Sequence, residues 1–156
     1  RAQLEAEALS GLELHEEGLA LIANDISPEA KLLRGDIFWR SERWAENAAS
    51  IDDYLGDRWD TADPFDDQTR ALVMRAAVSL ALAGDEAGTQ WLRDRYLAKM
   101  AETGDAAAFD VVTYQVDLTT VAFRLVATSV AQLATLESFM TSYLNRIQDG
   151  GVEAIN

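Results

Sequence analysis

The apolar positions of this chain recur at intervals of three and four residues almost from end to end, the period of an amphipathic helix. Between Ser27 and Gly56, Leu32, Leu33, Ile37 and Phe38 mark one helix. Ala45, Ala48, Ile51, Tyr54 and Leu55 mark a second, beginning near Trp44. Ser27 suits the N-cap, Pro28 the first helical position, and Glu29 the positive end of the helix dipole. The polar run Ser41-Glu42-Arg43 is short enough to be a turn, so the two helices are expected to lie antiparallel. Gly56 stands where a left-handed C-terminal cap is expected.

The same pattern organises the rest. Over residues 3–24, Leu4, Ala8, Leu12, Leu19 and Ile22 are helix-spaced, while Gly11 and Gly18 weaken the middle; this is one bent helix or two short ones. Asp66 to Ala83 predicts a central helix, apolar nearly all round through Ala71, Leu72, Met74, Ala76, Val78, Leu80 and Leu82. After Gly84-Asp85, a helix from Glu86 to Thr103 is expected to turn Trp91, Leu92, Tyr96, Leu97 and Met100 inward, with Gly104 as its stop. Ala106 to Val112 predicts a short helix, and 111–117 an extended connector, since a lone strand has nothing to pair with. Asp117 is expected to cap a helix through Thr128. Ser129 and Gln132 form a capping-box pattern that opens a last helix to Gln148. The expectation is a single all-α domain of about seven helices, residues 1–149, followed by a flexible tail, 150–156.

The Ser27–Gly56 hairpin resembles a tetratricopeptide (TPR) repeat, in which a small residue in the first helix precedes an aromatic by three positions. Gly35 matches the small position, Phe38 the first aromatic, Trp44 the second, and Ile51 a large apolar position later. Arg34, Glu42 and Asn47 stand where the family prefers Leu, Gly and Ala. Gly84-Asp85 resembles the turn between paired TPR helices, with Ala77 at the small position; the next Gly-Asp pair, at 104, comes too soon for a full unit. The resemblance implies stacked antiparallel hairpins, an irregular TPR-like solenoid whose last helix caps the stack. It also implies that Leu32, Asp36 and Trp39 face a groove, with Arg40 beside them. If Phe38 is core, helix geometry turns Trp39 about 100° away. Trp and Arg are the types that most often anchor interfaces, so Leu32, Asp36, Trp39 and Arg40 are the candidate partner-binding residues. The alternative is that a neighbouring helix covers Trp39.

Composition narrows the function. The 156 residues suit one domain, and 49% apolar with 26% charged residues is globular. A net charge of −14 with no Lys/Arg cluster disfavours nucleic acid and anionic membrane surfaces as partners. No apolar run approaches a membrane span. The absence of cysteine excludes disulfides and thiolate metal sites and leaves cytoplasm and periplasm both open. The sequence opens on Arg1 rather than Met, which is read as the C-terminal part of a longer bacterial protein.

Candidate chemistry is sparse. The stretch 57–67, DRWDTADPFDD, carries five aspartates, but their spacing is not that of an EF-hand and no Gly holds the required turn position. It is expected to be a solvated acidic loop whose last aspartate caps the next helix, with Trp59 and Phe65 folded onto the core. His15, the only histidine, is expected on an exposed helix face near Glu16 and Glu17, without a His or Cys at ligand spacing. No glycine pattern of a phosphate loop is present, and no pair of carboxylates is singled out. The expectation is a non-catalytic protein- or peptide-binding, scaffolding module with no cofactor and no metal. A carboxylate-dependent helical hydrolase and a structural domain packing on its own upstream chain are the alternatives.

Overall fold

A computed structural model describes residues 1–114 and 124–132. The chain is all-α. Its helices are α1 (Ala2–Gly11), α2 (His15–Leu21), α3 (Pro28–Arg40), α4 (Trp44–Leu55), α5 (Asp67–Leu82), α6 (Glu86–Ala101) and α7 (Ala106–Thr113). A 3-10 turn, Gly56–Asp60, follows α4, and residues 124–132 are also helical. There is no strand among the described residues.

Several helices start where local chemistry demands. The Ser27 hydroxyl accepts from Ala30 N–H, and Pro28 lies in the first turn behind it. Asp66 accepts from Thr69 N–H at 2.7 Å and Asp85 from Gly88 N–H at 2.8 Å. The cap of α5 is thus Asp66, one residue before the loop's last aspartate.

The three hairpins α1–α2, α3–α4 and α5–α6 close with one turn used three times. In each, a residue with positive φ follows the C-cap: Glu13 at 65°, Glu42 at 56°, Gly84 at 68°. The next residue, Leu14, Arg43 or Asp85, is the N-cap of the following helix. Its N–H reaches back to Leu9, Phe38 or Leu80 O, at 3.0, 2.8 and 3.0 Å. The positive-φ residue donates to Ser10, Trp39 or Ala81 O, at 3.1, 3.2 and 3.0 Å. These two bonds define a Schellman motif, which satisfies the carbonyls that a helix end leaves open. With a helix N-cap as the motif's final residue, the chain reverses within three residues. Gly56 differs: its φ is 52° but its ψ is −126°, outside the left-handed helical basin expected there, and the chain runs on into the 3-10 turn.

Two cores result. The larger gathers on α5, whose residues 72–81 are all buried, against Ile51 and Leu55 of α4, Leu92, Tyr96 and Met100 of α6, and Phe109 and Val112 of α7. Trp59 and Phe65 fold back onto it, as the sequence suggested. The smaller joins Ala6, Ile22 and Ile37, with Leu19 and Leu33 packed on them. Gly18 permits this packing, because a Cβ there would lie 2.8 Å from the Ala6 carbonyl oxygen.

Some expected faces are corrected. The 3–24 region is two helices, and the turn at 12–14 ends the run on which Leu4, Ala8 and Leu12 shared a face with Leu19 and Ile22. Leu4 and Leu12 are 60% and 71% exposed, while Ala6 and Ser10 are buried instead. On α6, Leu92, Tyr96 and Met100 exhaust the inward stripe, so Trp91 and Leu97 fall at its edges, part-exposed at 38% and 39%. Residues 124–132 are helical straight through Ser129, so no helix starts there; Val126, Ala127 and Val130 form a continuous apolar stripe against the core. The expected cap at Asp117, the helix to Gln148 and the tail 150–156 lie outside the described residues.

Candidate functional site

The flank of α3 that carries the sequence candidates is organised by a residue from α5. Arg75, only 7% exposed, donates from Nη1 to Asp36 Oδ1 at 2.6 Å and from Nη2 to the Gly35 carbonyl at 3.0 Å. Its guanidinium lies 5.0 Å from the Trp39 ring centre, and Trp39 meets Trp44 edge-on at 5.2 Å. The Gly35 carbonyl takes a second bond from the Asn47 amide at 2.6 Å, and the Ser79 hydroxyl donates to Asn47 Oδ1 at 2.7 Å. Asn47, where the resembled family prefers Ala, is therefore a fully buried polar tie between α3, α4 and α5. Leu32, Asp36 and Trp39 are brought to one flank, half-buried, while Arg40 is exposed. The expected division, Phe38 inward and Trp39 elsewhere, is not found. Leu32 and Trp39 pack on the larger core, and Phe38 is half-buried with the Arg43 guanidinium 4.7 Å over its ring. The signal for this arrangement was Arg75 itself, a charge inside the apolar run of α5 that demands a buried partner.

The aspartate-rich loop is tied by an amine. Lys99 Nζ donates to the Asp63 carbonyl at 2.6 Å and to Thr61 Oγ1 at 3.3 Å, and lies 5.1 Å over the Phe65 ring. Among the described residues no group of three or more His, Cys, Asp or Glu is placed to hold a metal ion. His15, partly buried at the start of α2, meets the Ser10 hydroxyl at 3.1 Å through Nδ1.

A groove the sequence did not reveal lies between α4 and α6, with α5 as its floor. Its volume is about 200 Å³. Ala45, Ala48, Ala49 and Asp52 come from α4, while Trp91, Leu92 and Tyr96 come from α6. The small α4 residues leave this space, and the spacing 45, 48, 49, 52 puts them on one helix face. Trp91, 38% exposed, belongs to the rim, where the Arg95 guanidinium sits 3.9 Å from its ring and 4.9 Å from that of Trp59.

Two polar residues of the groove lining are unusual. Tyr96 is fully buried, and its hydroxyl has no hydrogen-bond partner among the described residues. Burial, then the Asp52 charge, pushes that phenol up to about 12, so it stays protonated. Asp52 is half-buried, and burial raises its carboxyl above the usual range against the opposing pull of Arg95. The neighbouring Asp53, not Asp52, takes the ion pair with Lys31, at 3.0 Å.

No known relative was found. The chain matches no family model, no curated protein and no solved structure. No helix among the described residues is long and apolar enough to cross a membrane.

Proposed function

We propose that this chain is a non-catalytic protein-binding module, a TPR-like stack of helical hairpins that takes its partner in the α4–α6 groove. One observation carries the reading: a 200 Å³ trough with a part-exposed Trp91 on its rim and a wall of small α4 residues. Small-molecule sites usually enclose roughly 300–1,000 Å³, so this space suits one side chain inserted by a macromolecule. A rim of tryptophan and arginine has the composition of an interface anchor. The α3 flank of Leu32, Asp36, Trp39 and Arg40 is a second contact surface in this proposal. Its support is that Arg75 holds the Asp36 carboxylate and the Trp39 ring in place before any partner arrives.

The test is a plug. Ala49 is exposed at the groove wall, so Ala49→Trp fills the trough with little demand on the core. Proteins retained by the wild-type chain should be lost from Ala49→Trp and kept by Glu5→Trp, an exposed position on α1 outside the groove and the α3 flank. Equal retention by both variants would overturn the groove as the binding site.

A further inference from the structure

We propose that the partner segment taken by the α4–α6 groove carries one acidic side chain, whose carboxylate is received by the Arg95 guanidinium beside Trp91 on the rim. This rests on the binding-module reading above and names what the groove selects.

The first argument is an unused set of donors. Arg95 stacks on Trp91 at 3.9 Å and on Trp59 at 4.9 Å, yet its side chain makes no hydrogen bond and no ion pair among the described residues. Other cations of the chain are engaged: Lys31, Arg43, Arg70, Arg75 and Arg93 each hold an aspartate or a glutamate. Lys99, one turn beyond Arg95 on the same stripe of α6, is taken by the Asp63 carbonyl and Thr61. A guanidinium has five N–H donors and no acceptor, so an acceptor is what Arg95 lacks.

The second argument is access and order. Arg95 is only partly buried, so an occupant of the rim reaches it, whereas the Tyr96 hydroxyl is sealed. Two indole rings hold the guanidinium before any ligand arrives. That lowers the cost of ordering it for a two-pronged carboxylate contact.

Charge sets the class of occupant. Arg58 is exposed and stacked on Tyr54 at 4.8 Å, and its side chain has no hydrogen bond or ion pair among the described residues. Arg58 and Arg95 both act on the Tyr96 phenol, so the two charges lie near one part of the groove. Together they repel an amine and attract a carboxylate. Asp52 feels the Arg95 charge but forms no ion pair with it. That aspartate and the net charge of −14 weigh against a phosphate dianion or a run of acids. What fits is a single carboxylate in an otherwise uncharged segment, with an apolar neighbour against Ala45, Ala48 and Ala49.

The experiment uses the whole chain and short peptides of alanine, serine and leucine, acetylated and amidated so that no terminal charge is read. They are identical except for glutamate, glutamine or lysine at one central position. Binding is followed by titration calorimetry and by the NMR shift of the Trp91 indole N–H. The glutamate peptide should bind at least about tenfold more tightly than the glutamine peptide, the worth of a charge-assisted hydrogen bond, and the lysine peptide more weakly than either. Arg95→Gln should erase the preference for glutamate, Arg95→Lys should restore part of it, and Arg58→Gln should reduce it. A merely structural Arg95 would shift all three affinities together and leave their ratios unchanged, which overturns the proposal. Equal affinity for glutamate and glutamine, or no binding by any of the three peptides, overturns it as well. The groove is judged separately through Ala49→Trp. If that variant loses partners while the glutamate and glutamine peptides bind alike, the carboxylate reading alone fails; if it loses neither partners nor peptides, the groove itself fails.

Discussion

Glu42 and Gly84 occupy the same place in two hairpin turns, at φ 56° and 68°, each donating to the carbonyl three residues back. The backbone demand is the same, but only Gly84 meets it without a Cβ in the way. Left-handed backbone costs an L side chain about 1 kcal/mol relative to glycine. Glu42→Gly is therefore expected to stabilise the chain by about 1 kcal/mol, with the rise offset slightly by glycine's freedom in the unfolded state. Gly84→Ala is expected to destabilise it by a similar amount. Urea unfolding of both variants checks this, and a destabilised Glu42→Gly would contradict the turn geometry.

The Arg75 tie should show as coupling. Arg75→Ala removes the partner of the Asp36 carboxylate, leaves the Gly35 carbonyl with the Asn47 amide alone and uncovers the Trp39 ring, for an expected cost of about 3 kcal/mol. Trp39→Ala should cost about 2 kcal/mol, less than a fully buried tryptophan, because the ring is half-exposed. The double variant should fall short of the sum by about 1 kcal/mol, the worth of a partly desolvated cation–π contact. A strictly additive pair in chemical denaturation would mean that the guanidinium does not hold the ring.

Two aspartates should pull the acid stability curve in opposite directions. The Ser27 hydroxyl, then the Gln3 amide and Ser27 N–H, lower Asp25 to about 2 from an ordinary 3.8. Its contribution is present above about pH 4 and is lost as pH falls toward 2. Asp52 is raised by burial, so the folded chain holds that proton better than the unfolded chain does. Acidification toward 3.8 through its raised range therefore favours the fold. Urea midpoints measured from pH 7 to 2 should lose part of their acid fall in Asp25→Asn. In Asp52→Asn that fall should instead begin at higher pH and be steeper.

The packing of α1 on α2 offers a paired test at two glycines. Gly18→Ala brings a methyl to within 2.8 Å of a backbone oxygen, which cannot swing aside, and should cost about 1–3 kcal/mol. Gly11→Ala, with nothing within 4 Å, should gain about 0.5 kcal/mol from reduced chain entropy. Thermal unfolding that ranks the two the other way would refute this packing.

Much of the fold was written in periodicity and punctuation. Ser27-Pro28, Gly84-Asp85 and the all-apolar run of α5 each set an element boundary or a burial class by local chemistry alone. The equivalence of the three turns was hidden, because no residue is common to all three sequences, Leu12-Glu13-Leu14, Ser41-Glu42-Arg43 and Ala83-Gly84-Asp85, and two of them put a glutamate where glycine is expected. What they share is a pair of backbone bonds, which sequence does not spell. The α3 flank was legible as a set of residues but not as an arrangement, since Arg75 comes from 39 positions beyond Asp36. The α4–α6 groove was illegible for a related reason. It is a gap between helices that are not neighbours in sequence, and alanines read as packing rather than as space.

The uniformity of the three reversals has a bearing on how this chain tolerates changes in length. Within each hairpin the connector is spanned by fixed hydrogen bonds, and one added residue would break both and rotate the second helix about its axis. Between hairpins no such rule operates: the connector before α3 is a few residues, while the one before α5 is longer and holds to the body through Lys99. Insertions are therefore expected to survive around 60–63 and to be lethal at 41–43. A tag or a reporter placed in the first of these windows should leave every helix in register.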